Sequence, residues 1–184
     1  MTTQKLSGFK IMNKKTVQGY QNQFQEEVLD LFLRLPFSKY LTTSELWTIA
    51  KYMNIFKVKK KEVIFKEGEP GNFMCFIVEG KIIVLKKSDK GKRVPIAELG
   101  PKRSLGEMAM IDQSPRSASA IAASDSILLT ISKKGFDKLT EDHPRIGVIL
   151  LKRIAVILCA YIRKTSSELA DSLPAENTIK FDKK

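Results

Sequence analysis

A glutamate and an arginine nine positions apart are the residues of this sequence whose types and spacing best suit chemistry. They lie in the stretch SLGEMAMIDQSPRSASAIA, residues 104–122. Gly106 precedes Glu107, a short apolar turn follows, and the triplet Pro-Arg-Ser then places Arg116 and Ser117 before a strand of small residues. An interpretation of this stretch has to explain one carboxylate and one guanidinium at this spacing.

These residue types favour a nucleotide that carries both a phosphate and a ribose. A glycine before a short helix permits close backbone approach, and the first amides of such a helix point outward without partners. The arginine presents a planar fork of donors that matches two phosphate oxygens, and the adjacent serine adds a hydroxyl. An ionised glutamate is a good acceptor for a sugar hydroxyl. The candidate backbone donors to the phosphate belong to Gly106, Glu107, Met108 and Ala109.

Composition argues against several classes of enzyme. The sequence has 184 residues, of which 43% are hydrophobic, and this suits one globular domain with terminal extensions. His143 is the only histidine, so a catalytic triad would have no second base and a site with several histidine ligands is impossible. No P-loop, dinucleotide fingerprint or kinase motif is present. We therefore predict a binding module that is not an enzyme and uses no cofactor or metal.

Charge and cysteine usage restrict the partners and the compartment. The 32 basic residues exceed the 20 acidic ones, which favours anionic partners without specifying them. Cys75 and Cys159 lack CxxC spacing, and the N-terminus has no secretory signal. The apolar segment 146–162 contains Lys152 and Arg153, each of which would cost about 2.5–3.5 kcal/mol in a bilayer. We expect a cytoplasmic protein without a transmembrane segment.

Periodicity predicts three regions along the chain. Residues 1–20 form a basic arm, residues 21–173 the folded domain, and residues 174–184 a tail. Helical spacing starts at Phe24 and ends at Pro36. A capping box of Thr42 and Glu45 then opens a second helix, whose expected apolar face is Leu46, Ile49, Ala50 and Met53.

Short β-rich runs separated by glycines and charges follow Phe56, and they predict an antiparallel sandwich or jelly roll. The sheet resumes with SILLTIS before Ser132, which is expected to cap a short helix. Pro144 suits the first turn of a long helix that runs to about residue 173. The apolar stripe of this helix is Ile146, Ile149, Leu150, Ile154, Ile157, Leu158 and Tyr161, widened by Val148, Leu151, Val156 and Ile162.

The stretch GEMAMIDQSPRSASAIA resembles the phosphate-binding cassette of cyclic nucleotide-binding domains, the family of the cAMP receptor protein and the protein kinase A regulatory subunits. Upstream, EGEPGNFMCFIVEGKIIVL resembles the strand-turn-strand that leads into the cassette, with Gly68, Gly71 and Gly80 at turns. The resemblance covers residues 37–173. It implies an α+β fold, an antiparallel β-roll (jelly roll, double-stranded β-helix) flanked by N-terminal helices and a long C-terminal helix.

The resemblance also implies roles for individual residues. Glu107 would accept the ribose 2′-hydroxyl and Arg116 would bind the cyclic phosphate. Tyr161 would stack on the purine, or Thr165 would bond its edge, although dimer core is an equal alternative for Tyr161. The remaining implied contacts are Gly106, Met108, Ala109 and Ser117 around the phosphate, and Val84, Ile96 and Ala97 beside the purine.

One departure from the family pattern opens an alternative ligand. Where the family has Gly-Asp, this sequence has Lys102 and Arg103. The two cations suit a second phosphate, as in the cyclic dinucleotide c-di-GMP, or they are solvated loop residues. A simpler alternative for the cassette itself is a surface ion pair between Glu107 and Arg116, which would contribute about 0–1 kcal/mol.

The main hypothesis is a sensor of cAMP first and cGMP second, because serine at position 117 accompanies cAMP in the family. It would act through an unknown downstream protein or through its own dimer, formed by the long helix. We expect no direct DNA binding, since a winged helix needs on the order of sixty further residues and eleven follow residue 173. A third hypothesis is a structural adaptor that kept the fold and lost the ligand.

Overall fold

The computed structural model describes residues 17–172. The first helix includes residues 17–20, which were predicted to belong to the basic arm, and the rest of that arm and the tail lie outside the described residues. In chain order the elements are α1 (Val17–Leu33), a 3-10 turn (Ser38–Tyr40), α2 (Thr43–Ala50), β1 (Met53–Val58), β2 (Val63–Phe65), β3 (Phe73–Glu79), β4 (Ile82–Lys87), β5 (Arg93–Leu99), β6 (Ser104–Leu105), α3 (Met108–Asp112), β7 (Ser119–Ala122), β8 (Ser126–Ser132), α4 (Lys133–Asp142) and α5 (Pro144–Ser172).

The strands form two antiparallel four-stranded sheets, in the orders β1-β8-β3-β6 and β2-β7-β4-β5. This arrangement confirms the predicted β-roll flanked by helices. Strand β3 packs against apolar residues on both of its faces. Its residues Cys75 and Ile77 face an apolar cluster shared by the two sheets, whereas Met74, Phe76 and Val78 face a cluster shared with the helices. Its apolar run is therefore continuous because both of its faces are buried.

Local sequence signals place the helix ends as predicted, with one correction. The Thr42 and Glu45 capping box is present at the start of α2. The hydroxyl of Ser132 accepts a hydrogen bond from the Gly135 amide at the start of α4, and Pro144 begins α5. Met53 was expected on the apolar face of α2, but α2 ends at Ala50 and Met53 begins β1, where it is buried in the same cluster as the helix.

Helix α5 has a packed first half and an exposed second half. Ile146, Leu150 and Ile154 are buried against the helical cluster, while no residue beyond Ile154 in the described part of α5 is fully buried. Tyr161 is half-buried and returns to contact the β-roll. None of the helices within residues 17–172 is long and apolar enough to cross a membrane.

Candidate functional site

A pocket of about 540 Å³ lies between the second sheet, the cassette of residues 104–122 and the exposed half of α5. This volume falls in the range of small-molecule sites. Strands β4 and β5 line one wall, the turn before α3 lines the floor, and α5 covers one side. The predicted contacts all lie in this lining: Val84, Ile96, Ala97, Gly106, Glu107, Met108, Ala109, Arg116, Ser117, Tyr161 and Thr165.

Gly106 is required at the floor of the pocket for two physical reasons. Its φ is +81°, in the left-handed region that favours glycine. A Cβ at this position would also lie 2.5 Å from Nη1 of Arg116. The Gly106 carbonyl oxygen accepts a hydrogen bond from that same nitrogen, at 3.1 Å. The glycine therefore lets the backbone approach the guanidinium closely enough to bind it.

Arg116 is a buried cation without a carboxylate partner. It is only 3% exposed, and Nη2 donates to the Phe73 carbonyl oxygen at 2.6 Å while Nη1 donates to Gly106. Within residues 17–172 it belongs to no ion pair. Burial lowers the pKa of Arg116, and its positive charge is retained because arginine does not deprotonate in proteins.

Glu107 is a buried anion in the same pocket. It is also 3% exposed. Burial raises its pKa, while its own backbone N–H, the nearby Ser104 hydroxyl and the charges of Arg116 and Arg103 act in the opposite direction. No ion pair in the described part of the chain includes it. The alternative of a surface ion pair between Glu107 and Arg116 is therefore wrong, because both groups are buried and they remain unpaired.

The unsatisfied polar atoms of the described residues are concentrated at this pocket. Among the described side chains, those of residues 23–172, three buried atoms have no hydrogen-bond partner: Ser104 Oγ, Glu107 Oε2 and Arg116 Nε. Buried polar groups are nearly always hydrogen-bonded, because leaving one unpaired costs about 1–3 kcal/mol. A hydroxyl, a carboxylate and a guanidinium left incomplete in one place indicate a site built for a polar ligand that is both a hydrogen-bond donor and an anion.

The exposed half of α5 reaches the cassette through Tyr161. Its hydroxyl donates to the Ser104 carbonyl oxygen at 3.1 Å, which ties α5 to β6. The Arg103 guanidinium lies over the Tyr161 ring, 5.5 Å from its centroid. Burial raises the pKa of the Tyr161 phenol, as does the negative charge of Glu107. Thr165 follows one turn later in the pocket lining.

The two cations before β6 differ in their relation to the pocket. Arg103 lines it, whereas Lys102 is not among the lining residues, and a joint role of the two cations at a second phosphate stays a prediction. The φ of Lys102 is +70°, and its backbone N–H donates to the Ile77 carbonyl oxygen at 2.9 Å. Lys102 therefore occupies a left-handed turn position at the place where the family has glycine, at some cost in strain.

Sequence reasoning missed several residues of the lining. Ser104 lies in the cassette itself, but the sequence does not show that its side chain is buried. Phe65 ends β2, and an apolar strand residue carries no mark of a ligand site in the sequence. The other missed side chains with charge are Glu98, Lys164 and Glu168. Among residues 17–172 no group of three or more metal-ligating side chains comes together.

Residues 55–143 match the sequence profile described as "Cyclic nucleotide-binding domain". The chain contains a cyclic nucleotide-binding domain. The cassette lies in the second half of the matched range, and the residues from Gly106 to Ser117 all fall inside it. The resemblance found in the sequence is thereby confirmed.

Curated relatives share the domain in different contexts. The CRP-like cAMP-activated global transcriptional regulator of Mycobacterium tuberculosis is 25% identical over 70% of this chain and 55% of its own length. The cyclic nucleotide-gated potassium channel mll3241 of Mesorhizobium japonicum is 34% identical over 66% of this chain and 32% of its own length. The chain thus spans about half, or less, of the curated relatives it matches.

A solved structure of similar size shows the same fold. The crystal structure of a cyclic nucleotide-binding domain from Methylobacillus flagellatus has a TM-score of 0.73 and 25% sequence identity to this chain. The similarity covers 85% of this chain and 88% of that one. It therefore includes helices outside residues 55–143 as well as the β-roll.

Proposed function

We propose that this chain is a non-enzymatic, cytoplasmic sensor of a cyclic nucleotide, with cAMP as the preferred ligand. The observation that carries the proposal is the set of three unpartnered buried polar atoms in one pocket, on Ser104, Glu107 and Arg116. A cyclic nucleotide offers a ribose hydroxyl and a phosphate on one rigid ring system. It therefore supplies a donor for the carboxylate and an anion for the guanidinium at the same time.

The pocket walls suit the remaining part of such a ligand. Val84, Ile96 and Ala97 provide apolar surface on β4 and β5 for a purine, and Tyr161 and Thr165 face the pocket from α5. Selection of cAMP over cGMP rests on Ser117 and on the mycobacterial relative, which is described as cAMP-activated. A downstream protein that reads the bound state is part of this proposal, and its identity is left to experiment.

A second candidate ligand is c-di-GMP, and one observation favours it. The Arg103 guanidinium lies at the pocket, over the Tyr161 ring. Its charge is available for a second phosphate, because no carboxylate in the described residues forms an ion pair with it. Lys102 is not among the lining residues, so this candidate is argued from Arg103.

Dimerisation through α5 is supported by a seam on its outer face. Apolar and small residues recur there at alternating spacings of three and four, which is the pattern of a two-stranded coiled coil. The four large exposed apolar members include Ile162, which is 65% exposed. In order along the helix the seam consists of Val148, Leu151, Ala155, Leu158, Ile162, Thr165 and Leu169.

The cassette borders this seam. Met108 and Ile111 of α3 are exposed, and they line a groove together with Leu158 and Ile162 of α5. A second copy of α5 packed on the seam would therefore touch α3, whose first residue directly follows Glu107. This contact gives the proposed sensor a direct physical path from the ligand to the dimer.

Isothermal titration calorimetry with cAMP, cGMP, c-di-GMP and 2′-deoxy-cAMP tests the ligand proposal. We expect cAMP to bind most tightly. The 2′-deoxy analogue should bind about tenfold more weakly, because this analogue lacks the hydroxyl that would donate a hydrogen bond to Glu107. Tightest binding of c-di-GMP would favour the second candidate. Binding of none of the four would leave the structural adaptor as the function.

Sedimentation equilibrium with charged variants tests the dimer. Ile162→Glu places a charge on the seam and should give a monomer. Val156→Glu is the matched control, because Val156 is similarly exposed on the same helix but lies off the seam. Equal behaviour of the two variants would remove the seam from the proposal.

A further inference from the structure

Two aromatic rings form a corner around the buried Arg116 guanidinium. The Arg116 Cζ atom lies 4.2 Å from the centroid of the Phe65 ring and 4.6 Å from that of Phe73. The two ring centroids are 6.1 Å apart, and the ring planes are inclined by 69°. A guanidinium this close to the face of an aromatic ring is attracted by the ring quadrupole, most strongly where water is excluded.

The chain segments that carry the rings also hold the arginine backbone. Phe65 ends β2 and Phe73 begins β3. In the loop between them the Glu69 carbonyl accepts from the Arg116 amide at 2.8 Å, and the Gly68 amide donates to the Arg116 carbonyl at 2.9 Å. Phe73 contributes twice, because its carbonyl oxygen also accepts from Nη2. Backbone and side chain of Arg116 are therefore fixed by the same segment.

The groups that stabilise the buried Arg116 guanidinium determine whether it can still bind an anion. A buried charge requires compensation, and a carboxylate is the usual source. Here the compensation comes from two carbonyl dipoles and two ring faces, none of which carries a net charge. The positive charge of Arg116 is thus stabilised without being neutralised, and Nε is left without a partner. A carboxylate in the same place would compete with an incoming anion.

We infer that Phe65 and Phe73 are positioning residues, which hold the Arg116 guanidinium in the orientation that receives the ligand phosphate. The inference deepens the proposed function and rests on it for the identity of the ligand. It assigns a role to two aromatic side chains, of which Phe65 lines the pocket and Phe73 lies behind the guanidinium. Arg116 would then be preorganised before the ligand arrives, so that binding loses less side-chain entropy.

Fluorinated phenylalanines test this role with little change in shape. Introducing mono-, di- and trifluorophenylalanine at position 65 or 73 progressively withdraws electrons from the ring face. The dissociation constant of cAMP, measured by calorimetry, should rise in steps and reach about tenfold with the trifluoro ring. The same series at Phe56 is the matched control, because Phe56 packs in the same apolar cluster while Phe65 and Phe73 flank Arg116. Equal affinities across the series at 65 and 73 would overturn the inference.

A ligand-free measurement separates this inference from the proposed function. In a double-mutant cycle on unfolding by urea, Phe65→Leu should lower the midpoint more in the parent than in the Arg116→Met background. Phe56→Leu should lower it equally in both. If the parent binds no cyclic nucleotide, the proposed function fails, but this cycle still tests whether Phe65 holds Arg116. Coupling between the two substitutions supports that role, and additive effects overturn it.

Discussion

Two regions of the protein each contain a glutamate and an arginine, in different environments. At the junction of α2 and α5, Glu45 accepts from the Arg145 guanidinium and from the Thr42 amide and hydroxyl. The Arg145 side chain is exposed and that of Glu45 is partly exposed. The bond to Arg145 is the main cause that lowers the pKa of Glu45 to about 2. In the pocket, burial instead raises the pKa of Glu107, and neither Glu107 nor Arg116 forms an ion pair within the part of the chain that the structure describes.

Glu45 and Arg145 stabilise the fold by pairing with each other, so the two charges compensate one another within the chain. Glu107 and Arg116 are buried with unsatisfied hydrogen-bonding atoms, as expected of residues that bind a ligand. In the pocket, the fold carries the cost of burial and leaves three atoms unpartnered. A ligand that satisfies them stabilises the folded state by mass action. The predictions below test whether this contrast is functional, from the largest expected effect to the smallest.

Arg116→Met should weaken cAMP binding by about 3 kcal/mol, which is more than a hundredfold, because it removes the charge-assisted bonds to the phosphate. Methionine fills much of the space between the two rings, so the fold should survive. Arg145→Met is the control, since it removes the arginine of the junction. Calorimetry on both variants gives the comparison, and equal affinity of Arg116→Met and the parent would refute the assignment of the phosphate site.

Glu107→Gln should move stability and binding in opposite directions. Since burial raises the pKa of Glu107, its ionised form is disfavoured by folding, and the neutral amide should raise the free energy of unfolding without ligand at pH 7. The advantage should disappear as the pH falls below about 4.5, where the carboxyl is protonated in both states. Thermal unfolding between pH 4 and 8 measures this.

The same variant should bind cAMP about 1–2 kcal/mol more weakly, and it should narrow the gap between cAMP and the 2′-deoxy analogue. A parent that does not distinguish the two ligands would show that the carboxylate does not contact the ribose.

Tyr161→Phe should uncouple α5 from the pocket, because it removes the bond to the Ser104 carbonyl, worth about 1 kcal/mol. Hydrogen exchange across residues 146–167 should show a ligand-induced gain of protection in the parent and a smaller gain in the variant. Tyr52→Phe is the matched control, since its hydroxyl bonds to Asp142 away from the pocket. Unchanged protection in the ligand-bound parent would mean that α5 does not carry the signal.

Glu45→Gln should have the smallest effect on cAMP binding, because Glu45 contributes to the stability of the fold and lies outside the pocket lining. The lowered pKa of Glu45 makes its ionised form favour folding. That contribution is fully present above about pH 4.5 and is lost as the pH falls towards about 2. The variant should therefore be less stable at neutral pH and show a shallower loss of stability on acidification. Its affinity for cAMP should match the parent, and a large loss of affinity would break the contrast between the two regions.

Features decided within a few residues could be predicted from the sequence by itself. The capping box at Thr42, the cap at Ser132 and the helix start at Pro144 follow from short-range backbone requirements, so their residue types suffice. Gly106 is similar, because its positive φ is a local property. The α+β fold and the pocket contacts of the cassette were predictable for this reason, together with the resemblance of the cassette to a known family.

What only the tertiary structure decided is burial and the contacts between distant segments. Whether Glu107 and Arg116 are paired at the surface or buried and unpartnered depends on strands that pack over them from elsewhere in the chain. Phe73 lies 43 positions from Arg116 in the sequence, and no periodicity links a strand residue to a guanidinium at such a distance. Lys102 and Arg103 are adjacent in sequence, yet only Arg103 is among the residues that line the pocket, and Lys102 has a left-handed backbone conformation. The environment of a charge sets its chemistry, and that environment is formed by non-local packing.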